Sequence, residues 1–150
     1  MSDEEQLQAE RIGHWMAEQD RFARRLGMEL EQVAPGRCRV GMTVTGEMLN
    51  AVGITHGGVT FSLADFAFAV ASNSHGQVAV ALTAQINYPA ASREGERLTA
   101  EAREVTRSRR TGLYNIEVRS GERLIALFTG TVYRRSDPVS RWMETDAGND

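Results

Sequence analysis

The chain has 150 residues, 41% hydrophobic and 25% charged, with a net charge of −3. That length makes one domain with a real core, and the balance is a soluble globular protein's rather than a nucleic-acid binder's. No apolar run approaches the roughly 18 residues of a membrane-spanning helix, the acidic start is no signal peptide, and a single cysteine, Cys38, excludes an internal disulfide framework, so a cytoplasmic protein is expected.

Residues 4–26 are predicted to form one helix. Ile12, Trp15, Met16, Phe22 and Leu26 make its apolar stripe and Gly27 its stop. Met28–Val33 reads as a weak strand and Pro35-Gly36 as a turn. Cys38, Val40, Met42 and Val44 alternate with Arg39, Gly41 and Thr43, which predicts a half-buried strand with Cys38 in the core. Gly46 to Gly53 is a loop that holds Asn50. A helix from about Gly57 to Ser74 follows, with Gly76 as its C-terminal stop. Gln77–Tyr88 places Val78, Val80, Leu82, Ala84 and Ile86 on one face of a strand that Pro89 ends. Leu98–Thr106 and Gly112–Arg119 are further strands, and Ser120-Gly121-Glu122 is a hairpin turn into Arg123–Arg135. Ser136–Asp150 is expected to be a poorly ordered tail. Short turns favour antiparallel pairing. One apolar helix and one antiparallel sheet therefore give an α+β fold with the sheet curled around the helix. The division is an N-terminal helix (1–26), a core domain (27–135) and the tail (136–150).

The predicted helix at Gly57 is apolar nearly all round, with Val59, Leu63, Phe66, Ala67 and Val70 at helical spacing. A helix of that kind is a buried one. Two features do not serve packing. Gly57-Gly58 opens it, although each glycine costs up to about 1 kcal/mol against alanine in a helix. Asp65 sits in its apolar middle, where an unpaired carboxylate is costly. Both are understandable if a substrate carbonyl meets bare backbone N–H groups at one point and a carboxylate at another.

At His56-Gly57-Gly58, Asp65 and Ala69-Val70-Ala71-Ser72-Asn73-Ser74-His75-Gly76 the sequence resembles the hotdog-fold acyl-CoA thioesterases, in particular the phenylacetate-degradation thioesterases of the PaaI type. Asn50, Gly57-Gly58 and Asp65 match that family's active-site layout, and the resemblance covers about residues 25–135. It implies five or six antiparallel strands around the helix. It also implies dimers joined edge to edge, often paired into tetramers, and hydrolysis of an acyl thioester of coenzyme A without metal or prosthetic group. An aryl or (hydroxy)phenylacetyl acyl group is expected.

Thioester hydrolysis needs a polarised carbonyl, a stabilised oxyanion and an attacking group. A helix N-terminus offers unpaired N–H groups and a partial positive charge, so the Gly57 N–H is the expected oxyanion donor. Asp65 is the expected general base or nucleophile. Eight residues on one helix separate them by ~12 Å. One carbonyl cannot touch both, so the site is expected to be shared across a two-fold axis. The resemblance makes Asn50 a side chain that orients the thioester or the helix start; it is otherwise an ordinary turn asparagine. His56 fixes the loop or lines the site. Thr83 is a candidate to hold the attacking water beside Asp65. Arg107, Arg109 and Arg110 are the candidates for the coenzyme A phosphates. His14, His56 and His75 are scattered, which speaks against a metal site. The other readings are a hotdog dehydratase or hydratase and a non-catalytic acyl-CoA-binding module.

Overall fold

A computed structural model describes residues 2–147. The first helical segment is two helices, α1 (Asp3–Gln19) and α2 (Arg21–Arg25), rather than one helix over 4–26. Asp20 makes the break. Its backbone is extended and its carboxylate accepts the Ala23 N–H at 2.9 Å, so it caps α2 instead of continuing α1. The rotation takes Phe22 out of the predicted stripe, leaving it 60% exposed, while Ile12 stays buried.

The strands are β1 (Glu29–Ala34), β2 (Arg37–Thr43), β3 (Gln77–Asn87), β4 (Arg97–Arg107), β5 (Thr111–Ser120) and β6 (Arg123–Pro138). They form one antiparallel sheet in the order β1-β2-β4-β5-β6-β3. The helix α3 (Gly57–Asn73) crosses between β2 and β3 and lies in the curve of the sheet. This is the expected α+β architecture with six strands. Leu63, Ala67, Phe68 and Val70 of α3 are buried against Val40, Leu98, Ile116 and Phe128. Phe68 packs on Tyr114 and Phe128, and Phe61 on Phe128. Gly130 makes room for this ring cluster, since a Cβ there would come within 2.6 Å of the Phe68 ring. Cys38 is a core residue, as expected.

Strand β3 departs from its sequence pattern. Simple alternation puts Val80, Leu82, Ala84 and Ile86 on one face. A bulge between Ala81 and Thr83 breaks that alternation. Ala84 and Ile86 pair with Gly130 and Phe128 on the helix side, while Val80 pairs with Tyr133 on the outer side. Val80 and Leu82 are 42% and 59% exposed. β3 is also an edge strand. An apolar, unpaired edge of this kind is a surface built to be covered.

The C-terminal segment is more structured than its composition suggests. β6 runs on to Pro138, and α4 spans Ser140–Ala147 with Val139 buried before it. The Val139 N–H donates to the Gly76 carbonyl at 2.8 Å, which ties this segment to the end of α3. Residues 148–150 of the expected tail lie outside the described residues.

Candidate active site

The start of α3 is held by the loop before it. Asn50 closes that loop: its Oδ1 accepts the Val52 N–H at 3.1 Å and the Ile54 N–H at 3.2 Å, and its own N–H donates to the Ile54 carbonyl at 2.8 Å. This is the turn role of an asparagine side chain. Thr55 is fixed to Ser92 through both backbone and side chain, at 2.9 and 2.6 Å, and the His56 N–H donates to the Met48 carbonyl at 2.8 Å. His56 is the N-cap of α3: its Nδ1 accepts the Gly58 N–H at 2.9 Å. That bond makes Nδ1 an acceptor and uses the lone pair a general base would need.

These bonds leave one donor over. Gly58 is capped by His56, and the Val59 N–H donates to the His56 carbonyl at 2.9 Å. Among the described residues nothing accepts the N–H of Gly57. The Gly57 carbonyl accepts the Tyr88 hydroxyl at 3.0 Å, and the Tyr88 ring stands 3.4 Å from where a Cβ on Gly57 would lie. The start of the buried helix thus presents one free N–H beside a tyrosine ring, with the helix's positive end behind it.

Asp65 lies two turns on, half-buried. It belongs to a stripe with Gly58, Ser62 and Ala69 that the rest of the chain does not fully cover. No group among the described residues hydrogen-bonds its carboxylate. Burial pushes its pKa above the usual aspartate value, and the charge of Asp20 adds to the effect. A desolvated carboxylate with no partner is a strong proton acceptor once ionised.

Two expected members are not brought in. Thr83 pairs with Thr131, their hydroxyls 2.6 Å apart, and Thr131 follows Gly130, which faces α3. Adjacent strand residues point to opposite faces, so Thr83 is on the outer face and does not meet Asp65 of its own chain. The bulge that displaces it is not visible in the residue pattern. The three arginines also separate. Arg107 and Arg109 line a cleft at the far end of α3, together with Arg134 and His75, whereas Arg110 is not among the lining residues. Tyr88 and Arg134 are the residues sequence reasoning missed. Tyr88 was visible only as the end of a strand, and Arg134 only as one arginine in an apolar strand. No group of three or more His, Cys, Asp or Glu side chains among the described residues is arranged to hold a metal ion.

The family model described as Thioesterase superfamily matches residues 52–126, which include Gly57 and Asp65. The chain is 42% identical over 122 residues to the acyl-coenzyme A thioesterase PaaI of Escherichia coli, covering 81% of this chain and 87% of that one. The solved structure of the E. coli PaaI protein superposes with a TM-score of 0.86 at 38% identity, covering 89% of this chain and 97% of that one. A hypothetical thioesterase protein of Streptococcus pneumoniae TIGR4, solved with coenzyme A, superposes with a TM-score of 0.69 at 29% identity, covering 71% and 87%. The chain therefore belongs to the thioesterase superfamily and is a thioester hydrolase with the hotdog fold. Within that class it is an acyl-CoA thioesterase of the PaaI type.

Proposed function

We infer that the chain hydrolyses aryl thioesters of coenzyme A, phenylacetyl- or hydroxyphenylacetyl-CoA among them, at a site shared by two subunits. The observation that carries the reading is one helix with a free N–H at Gly57 and an unpartnered half-buried carboxylate at Asp65. The two are eight residues apart, ~12 Å along the axis. Across a two-fold axis with antiparallel helices, Gly57 of one subunit meets Asp65 of the other. The Gly57 N–H then takes the thioester oxygen, and its bond strengthens as negative charge develops on that oxygen. Asp65 acts on the carbonyl carbon, through a water it deprotonates or directly as a nucleophile. His56 and Asn50 hold the loop that aims the N–H, and no cofactor is needed.

The dimer forms by pairing the free β3 edges into a continuous sheet, which also covers the apolar edge strand. Val80 and Leu82, with Leu127 and Tyr133 of β6, leave an apolar outer face on which dimers pair into a tetramer. The aryl preference is supported by the likeness to E. coli PaaI, whose solved structure is described as from the phenylacetic acid degradation operon. Single-turnover hydrolysis in ¹⁸O-water tests the nucleophile role of Asp65: label found in the Asp65 carboxylate means that water opened a mixed anhydride at the Asp65 carbon. Label in the product acid is common to the general-base route and to water attack at the acyl carbon of the anhydride, and rapid-quench capture of an acyl–Asp65 adduct separates those two. Full activity of a monomer in dilute solution refutes the shared site.

A further inference from the structure

α3 opens on the residue least able to hold its own direction. Gly57 has no Cβ, and the absence that lets a carbonyl approach its N–H also frees its φ and ψ. The direction of that N–H depends on the two peptide planes that meet at the Gly57 Cα. With glycine at the joint, both planes must be held from outside.

Both are held. The plane before Gly57 is fixed through the His56 carbonyl, which accepts the Val59 N–H at 2.9 Å and the Thr60 N–H at 3.4 Å. The plane after it is gripped at both ends. Its N–H, that of Gly58, donates to His56 Nδ1 at 2.9 Å, and its carbonyl, that of Gly57, accepts the Tyr88 hydroxyl at 3.0 Å. The two bonds run through a single peptide group, from hydroxyl to carbonyl and from N–H to imidazole, so each polarises the other.

Hydrogen-bond satisfaction does not require the Tyr88 bond. Inside a helix the Gly57 carbonyl is already the partner of the N–H four residues on. Tyr88 is 49% exposed, so water is available to its hydroxyl. The side chain is nonetheless fixed in place. It follows Asn87, the last residue of β3, which pairs with Leu127. Pro89 after it restricts its backbone to the extended region. Its hydroxyl and the ring carbon that bears it both stand 3.4 Å from where a Cβ on Gly57 would lie.

Resting on the thioesterase reading above, we propose that Tyr88 is a positioning residue for hydrolysis: its hydroxyl, through the Gly57 carbonyl, fixes the direction of the Gly57 N–H before the thioester oxygen arrives. A donor aimed in advance costs no reorganisation when charge develops on that oxygen. Glycine at the start of α3 gives the close approach, and Tyr88 with His56 removes the freedom that glycine brings.

Tyr88→Phe keeps the ring, removes the hydroxyl and leaves no buried group unpaired. Its kcat for a coenzyme A thioester is expected to fall about five- to tenfold, the worth of one neutral hydrogen bond. KM is expected to stay within about twofold of wild type, because the bond acts on the transition state. The same substitution in the Gly57→Pro chain, which has no N–H to aim, is expected to change kcat by less than about twofold. An unchanged kcat in Tyr88→Phe overturns the proposal. So does an equal fall in both backgrounds, which would place the hydroxyl's effect elsewhere, or a loss carried by KM alone.

¹⁵N relaxation on the free protein reads the same hold without turnover. The Gly57 N–H order parameter is expected near the rigid-backbone value of about 0.85 in the wild-type chain and well below it in Tyr88→Phe. Equal values in the two proteins overturn the proposal. Absence of turnover in the wild-type chain counts instead against the thioesterase reading, and the relaxation measurement still decides what Tyr88 holds.

Discussion

Gly57→Pro replaces the amide hydrogen of the site by the ring Cδ, and the local geometry suits a proline. Gly57 is the first residue of α3, a position where proline is favoured because its N–H has no helical partner. His56 before it has φ −59° and ψ 132°, the extended conformation that a residue preceding proline adopts. No bond within the described residues is lost, because nothing accepts the Gly57 N–H. A Cβ at this position lies 3.4 Å from Tyr88, in ordinary van der Waals contact. Stability is therefore expected to hold or to rise by ~0.4–1 kcal/mol through the stiffer unfolded chain. Activity is expected to go the other way. An oxyanion donor is typically worth ~3–4 kcal/mol, so kcat should fall by about 10²–10³. Thermal unfolding and steady-state hydrolysis of a CoA thioester read the two effects on one preparation, with Gly57→Ala as the variant that keeps the N–H. A folded Gly57→Pro protein with kcat within a few-fold of wild type refutes the oxyanion assignment.

The acid limb of kcat/KM is expected above the usual aspartate range, because burial and Asp20 raise the Asp65 pKa; a limb at or below that range contradicts the assignment. The same raised pKa means the folded chain holds the Asp65 proton more tightly than the unfolded chain does. Its contribution to stability is present at low pH and lost as pH rises through the folded pKa. Asp65→Asn should therefore raise Tm more at pH 7 than at pH 4, which calorimetric scans at the two pH values check. Gly130→Ala drives a methyl into the Phe68 ring and is expected to cost about 1–3 kcal/mol in urea unfolding. Asn50→Ala unties two N–H groups in the loop before α3 and is expected to lower stability by about 1–3 kcal/mol. Asn50→Asp, which keeps the acceptor oxygens, is expected to restore most of that loss.

Much of the architecture could be read from residue pattern. α3 was legible because Leu63, Ala67 and Val70 recur at helical spacing between a glycine start and Gly76. β5 and β6 were legible because their apolar positions alternate and Gly121 turns the chain between them. The failures have local causes. The first helix breaks because the Asp20 side chain competes for a backbone N–H, an event invisible to a stripe of apolar residues. β3 changes face at a bulge, and one extra residue leaves no mark on composition. The C-terminal segment is polar yet forms α4, because Val139 is buried and its N–H is held by Gly76. In the candidate site, Gly57 and Asp65 stood out because each is costly for packing alone. Tyr88 and Arg134 did not, since their roles depend on contacts 31 and 57 residues away in sequence.

The most direct test is steady-state hydrolysis of a panel of coenzyme A thioesters by the wild-type chain and by Asp65→Asn. The panel holds phenylacetyl, hydroxyphenylacetyl, benzoyl and short and long aliphatic groups. The expected result is fastest turnover of the aryl members and loss of that turnover by about 10²-fold or more in the variant, the scale of a general base. Turnover in Asp65→Asn near the wild-type rate, or a wild-type chain that binds the thioesters and hydrolyses none, contradicts catalysis by the Gly57–Asp65 helix.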